Sequence, residues 1–334
     1  MSAEVRSSRS QLIWNILKIA LALVLAAYVL SRTELDQLFA LRERIQFGWL
    51  AAVFILYILL TVLKALQYYF LIGRQVAYAQ VLNIVVIQNT TSNFIATSAG
   101  IASYLTLFRV EQGVKLSRAA VAFLITKVGD LISIWLFLAA AGLGVWPQVE
   151  ALHAVTVAAL AGIGAALAVF FAVVLLRERS VSLLQTLVDR LGLGRLGIVK
   201  RLMQILHSLA AQEQGFVFRM LGMGILFSLL YMLVTLAWLY AGLQTFSFDV
   251  ALAPVVFVNV LMQLFSYLPI QVLGGLGVSE TSLLYLYGLF GLPQTELAAV
   301  LIGTRVLFYA ANLVVLLYLP LHSLLLNRSS RLPK

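Results

Sequence analysis

Four ionisable side chains sit in stretches otherwise apolar enough for a bilayer: Lys127 and Asp130 in one run, Glu280 and Arg305 in and after another. A charge at membrane depth is costly and marks a functional site by default. Lys127 and Asp130 are three residues apart and share a helix face, so they can neutralise each other. Glu280 follows a glycine cluster, Gly274, Gly275 and Gly277, which is itself preceded by Pro269. Proline and glycine interrupt a helix, and irregular chain at this depth must be buried in protein or line a cavity. The chemistry this set offers is recognition of a charged head group. Lys127 and Arg305 supply full charges suited to phosphate, and interrupted helix ends supply partial ones. Gln88, Asn89, Asn93, Asn259, Gln263 and Gln271 add hydrogen-bonding amides. Two readings stand side by side. The pairs Glu280–Arg305 and Lys127–Asp130 either line a substrate cavity or hold the bundle together, since buried charges must be paired in both cases.

The composition decides what carries these residues. Of 334 residues, 62% are hydrophobic and 11% charged, and the mean hydropathy is +1.01. That is a polytopic membrane protein, not a soluble domain. The net charge of +10 reads as cytoplasmic loop charge rather than a nucleic-acid surface. There is no cysteine, and the three histidines (His153, His207 and His322) have no metal-ligand spacing. No G-x-S-x-G elbow and no phosphate-binding P-loop is present. No metal, cofactor or enzymatic activity is expected, and a lipid-phosphate enzyme would lack a recognisable acid–base cluster.

The predicted architecture is an all-α bundle of about eight spanning segments. A single transmembrane domain, 11–326, lies between cytoplasmic tails 1–10 and 327–334. The first apolar run, 11–30, is long enough to be a retained anchor rather than a cleaved leader. A helix over 47–72 carries Lys64, expected to snorkel to the interface. Segment 78–108 has six consecutive polar residues, Gln88 to Asn93. It reads as two shorter helices meeting at that polar break, or else as one helix with its polar side packed inward. Helices follow at 119–145 and 152–176. Segment 177–215 has apolar residues at helical spacing, from Val181 to Leu209, and reads as an amphipathic pair on the cytoplasmic surface. It either contacts anionic lipid or only fixes topology. A helix at 216–243, a second interrupted segment at 250–291 and a last helix at 297–326 complete the bundle.

Basic segments mark the cytoplasmic side: the N-terminal tail, 109–118, 177–201 and the C-terminal tail. Loops near 146–151, 244–249 and 291–296 have no Lys or Arg. The two sets agree only if 78–108 enters and leaves on one side, as a re-entrant pair. Two stretches then match at an offset of 178 positions: Gly113 with Gly291, Ala120 with Ala298, Thr126 with Thr304, Lys127 with Arg305 and Val128 with Val306. Each follows an interrupted segment, and under this topology the two helices run in opposite directions. The chain is therefore read as inverted repeats, 47–176 and 216–326. Inverted repeats with discontinuous helices and a midplane site are a transporter signature.

At these residues the sequence resembles the transmembrane region of lysylphosphatidylglycerol synthases, a flippase-like membrane family. Pro269, Gly274, Gly275, Gly277, Glu280, Gly291 and Arg305 carry the second-half pattern; Asn93, Gly100, Gly113, Lys127 and Asp130 carry a fainter first-half one. The first half departs at Thr97, Gly100–Ile101, Tyr104 and Thr126–Lys127, and the second at Ser279, where the family usually has proline or charged groups. The resemblance covers about 80–325. It implies movement of an anionic or polyprenyl-phosphate-linked lipid between leaflets of the inner membrane, with both termini cytoplasmic. No aminoacyl transfer is expected, because the sequence has no synthase domain after its last helix. The implied partners are membrane lipids and not nucleic acid. The alternative is a non-transporting scaffold for a lipid- or glycan-modifying enzyme. The candidate substrate-binding set is Asn93, Lys127, Asp130, Gly274, Gly275, Gly277, Glu280 and Arg305.

Overall fold

The computed structural model describes residues 20, 23–33, 35–190, 192, 197, 199, 203–204, 206–207, 214–265 and 275–322. The two tails, much of the expected first helix, Pro269, Gln271 and Gly274 lie outside the described residues. Among the described residues the chain is helical with no strand. After a helical stretch at 23–31 come α1 (Leu35–Ala40), a short 3-10 turn, α2 (Phe47–Leu71), α3 (Tyr78–Phe94), α4 (Thr97–Val110) and α5 (Leu116–Val145). They are followed by α6 (His153–Leu176), α7 (Glu178–Arg190), α8 (Gln214–Thr245), α9 (Leu252–Phe265), α10 (Val278–Gly288) and α11 (Gln294–Leu316).

Five helical segments are long and apolar enough to cross a membrane: Phe47–Leu71, Leu116–Gln148, Glu150–Leu176, Gln214–Thr245 and Gln294–His322. Helices suit such sequences because each satisfies its own backbone hydrogen bonds. Helix α8 is the central post, packed along both α2 and α5.

The two interrupted segments form helix pairs. Helices α3 and α4 are joined by Ile95 and Ala96 alone, and Ala96 is extended (φ −167°, ψ 150°). The pair folds back on itself so closely at Gly100 that a Cβ there would lie 2.7 Å from the Gln88 carbonyl oxygen. At about 1.5 Å per residue neither helix reaches the roughly 30 Å of a hydrocarbon core. The break falls after the polar run and not within it. Gln88 to Asn93 stay helical because other helices supply partners, as Tyr57 and Asn312 do for Asn93. Helices α9 and α10 also pack together, with Asn259 Nδ2 donating to the Tyr287 hydroxyl at 2.8 Å. The matching sequence offset extends to the helix boundaries. Helices α4 and α10 end, and α5 and α11 begin, 178 residues apart. The intervening Gly113 and Gly291 both have positive φ, 64° and 75°, a conformation that costs other residues about 1–2 kcal/mol.

The buried apolar residues fall into two large clusters. One gathers α3, α4, the first half of α5 (Ala119–Val128) and the start of α8 (Val217–Leu221). The other gathers the second half of α5 (Ile134–Val145), the end of α8 (Met232–Leu243), α9, α10 and the start of α11 (Leu297–Leu301). Each interrupted pair thus has its own core, at opposite ends of α5 and α8. The segment after α6 is not simply laid on a surface: Val181 of α7, Met203 and Leu206 pack against Val173 at the end of α6.

Candidate functional site

Three helices converge on Asp130. Its Oδ1 accepts from Ser228 Oγ of α8 at 2.8 Å and lies 3.5 Å from Lys64 Nζ of α2. Its Oδ2 lies 3.4 Å from Lys127 Nζ, one turn back on α5. Gln67 ties the group together: its Oε1 accepts from Lys64 at 3.1 Å and its Nε2 donates to Ser228 at 2.9 Å. Small residues make this approach possible. A Cβ at Gly129 would lie 2.8 Å from the Gly224 carbonyl oxygen, so α5 and α8 cross backbone to backbone.

Lys64 does not snorkel. Its side chain is 12% exposed, turned inward to Asp130, and its ammonium sits 4.6 Å from the centre of the Tyr231 ring. The reason is electrostatic and geometric. A carboxylate one helix away offers the buried ammonium more than a distant interface, and the aromatic face adds a cation–π contact. Lys127 is the most accessible member, its side chain 37% exposed.

The second cluster is built around Glu280. The carboxylate stands in the first turn of α10 and reaches back, its Oε2 accepting from the Gly277 N–H at 2.6 Å. A carboxylate at a helix N-terminus satisfies an otherwise orphan donor and meets the positive end of the dipole. Arg305 of α11 donates to the other oxygen, Oε1, through Nε and Nη2. The guanidinium lies over Phe308, 5.3 Å from the ring centre. Gly275 and Gly277 are both buried, with φ of 80° and 77°, and shape the turn that places Glu280.

Asn93 belongs to neither ion cluster but to a bridge between helices. Its Nδ2 donates to Asn312 Oδ1 at 2.7 Å and to the Tyr57 hydroxyl at 3.2 Å. Tyr57 packs against Trp238 and Phe308, and with Tyr231 these rings form an aromatic cluster between α2, α8 and α11. Lys64 rests on one member of that cluster and Arg305 on another. Of the other expected amides, Asn259 holds Tyr287, Gln263 lies against Met232 and Asn89 is part-buried on α3. Gln88 is buried, and its Oε1 has no partner among the described residues. Beside Arg305, α2, α8, α9, α10 and α11 enclose an apolar crevice whose lining includes Val53, Trp238, Gly242, Leu283, Leu301 and Leu307.

The sequence reading missed Lys64, Gln67, Ser228, Tyr57 and Asn312 as members of these networks. A signal was present. Tyr57, Thr61, Lys64 and Tyr68 recur at helical spacing on α2, as do Ser228, Tyr231, Thr235 and Trp238 on α8. A polar and aromatic stripe along an apolar helix points into the bundle. Among the described residues no group of three or more His, Cys, Asp or Glu side chains is placed to hold a metal.

Interrupted helix pairs, buried ion clusters and five apolar helices define an integral, multi-pass membrane protein. The chain belongs to the lysylphosphatidylglycerol synthase TM region family, whose model matches residues 15–315. No curated protein and no solved structure matches it.

Proposed function

We propose that this protein moves a lipid with an anionic head group, an anionic phospholipid or a polyprenyl-phosphate-linked lipid, between the leaflets of the inner membrane. It makes and breaks no covalent bond. The observation that carries the reading is the pair of cations at repeat-matched positions, Lys127 and Arg305, each inside an apolar bundle and each beside an interrupted helix pair. Cations so placed suit phosphate oxygens. Inverted repeats follow from the same layout. Helix α5 starts in the core of the first interrupted pair and ends in that of the second, whereas α11 starts in the second core. Two opposed halves around a central site are what alternating access needs. Both termini are then cytoplasmic, and the lipid is the ligand.

One observation favours a second reading. Both oxygens of Glu280 and both of Asp130 are already engaged within the protein, as structural ties would be. On that reading the protein is a non-transporting partner of a lipid-modifying enzyme. Reconstitution into liposomes with a fluorescent anionic phospholipid, followed by quenching from outside, separates the two. Transport above protein-free liposomes, lost in Lys127→Met and Arg305→Ala, supports the first. A rate equal to that of empty liposomes sinks it. Mass spectrometry of lipids retained by the gently extracted protein then identifies the class carried.

A further inference from the structure

The crevice beside Arg305 holds one polar group that the rest of the fold does not use. Trp238 lines it, and the indole Nε1 of Trp238 is buried with no hydrogen-bond partner among the described residues. Buried indole N–H groups usually find an acceptor, because leaving a donor dry forfeits the hydrogen bond it made with water. The other polar residues on the wall are already occupied. Asn259 donates to Tyr287, and the Thr304 hydroxyl donates to the Leu301 carbonyl at 2.9 Å. What remains is an apolar slot with a single unused donor at its aromatic edge, where Trp238 meets Tyr57 and Phe308 at ring distances of 5.6 and 6.1 Å. The floor is set by Gly242, where a Cβ would already touch Thr304 Cγ2 at 3.4 Å.

We infer that this crevice takes one hydrocarbon chain of the lipid and that the Trp238 N–H donates to the ester carbonyl oxygen at the root of that chain. The inference rests on the lipid reading above and narrows it. An ester-linked anionic phospholipid offers a carbonyl acceptor flanked by a chain; a polyprenyl phosphate has no carbonyl, and an ether-linked chain has only a weaker acceptor oxygen. Trp238 is a specificity residue for the linkage, and Gly242 is the residue that leaves room for the chain.

The test is lipid binding to the purified full-length protein by native mass spectrometry. The probes are diacyl phosphatidylglycerol, its dialkyl ether analogue, a polyprenyl phosphate and phosphatidylcholine. Wild type is expected to prefer the diacyl over the dialkyl lipid by several-fold to about tenfold, the range of one net hydrogen bond. Trp238→Phe keeps the ring contacts and loses that preference, binding both at the level of the ether. Gly242→Leu weakens both lipids by filling the slot. Equal binding of the diacyl and dialkyl lipids by wild type, an undiminished preference in Trp238→Phe, or tighter binding of the polyprenyl phosphate overturns the inference. The two readings fail separately. Anionic lipids held no better than phosphatidylcholine sinks the anionic-lipid reading and this inference together. A preference for anionic lipids without an ester preference sinks this inference alone.

Discussion

The first-half cluster and the second-half pair place a cation at matched positions, yet they solve the problem of a buried charge differently. Arg305 is held by a carboxylate from the interrupted pair itself, and Glu280 at the same time caps α10. Ala102, the first-half residue at the offset of Glu280, has no charge. Lys127 instead pairs with Asp130 on its own helix, and the network is completed by Lys64 and Ser228 from α2 and α8. One cluster therefore ties an interrupted helix to a spanning one. The other ties three long helices and leaves the α3–α4 pair out. The lesson is that the second half couples its ion pair to the element best built to move, whereas the first half anchors its ion cluster to the frame.

The comparison is broken most severely at Asp130. Asp130→Ala leaves Lys64 and Lys127 without this carboxylate, and is expected to cost about 3–5 kcal/mol. Thermal unfolding in detergent should fall sharply, and removing Lys64 as well (Lys64→Met) should return part of the loss. Near-normal stability of the single variant would mean the cluster is not a tie.

Glu280→Gln comes next. It removes the charge opposite Arg305 but keeps an oxygen that can accept from Gly277, so about 2–3 kcal/mol is expected from a charged hydrogen bond. The swap Glu280→Arg with Arg305→Glu sharpens the contrast. Refolding without transport assigns the second-half pair to substrate handling; recovery of both leaves it a tie. Asn312→Leu should cost about 1–2 kcal/mol, because Asn93 loses an acceptor inside the bundle, again read by thermal unfolding. Lys127→Met should change stability least, by less than about 1 kcal/mol, because this lysine is over a third exposed and solvent screens its pairing. Its transport in the liposome assay should nevertheless drop at least tenfold. An unchanged rate would confine substrate handling to the second half.

Several of these features were legible in the sequence. The i, i+3 spacing put Lys127 and Asp130 on one helical face, and the Gly-x-Gly-x-x-Glu run announced an interrupted helix with a carboxylate at its start. The 178-residue offset predicted the matched helix boundaries before any coordinate. Lys64 was misread because periodicity gives a helix its faces but not the neighbour each face meets. An isolated lysine in an apolar helix looks the same whether it reaches outward or meets a carboxylate 66 residues away. The break in 78–110 was misplaced for a related reason. Polar residues argue for a break only when nothing else satisfies them, and here other helices satisfy Asn93.

By itself the sequence determined the membrane class, the helical segments, the repeat and the charged residues that stand out within it, because hydropathy, helical period and identity at fixed spacing are properties of a chain. Only the tertiary structure decided which helix each charge faces, that Asp130 gathers three helices, that Asn93 joins Tyr57 and Asn312, and that Trp238 borders an apolar crevice with its N–H unused. Those outcomes depend on the rotation and crossing of packed helices. Small residues such as Gly129 and Gly224 set that geometry by letting backbones touch, and it joins residues that no spacing in the sequence connects.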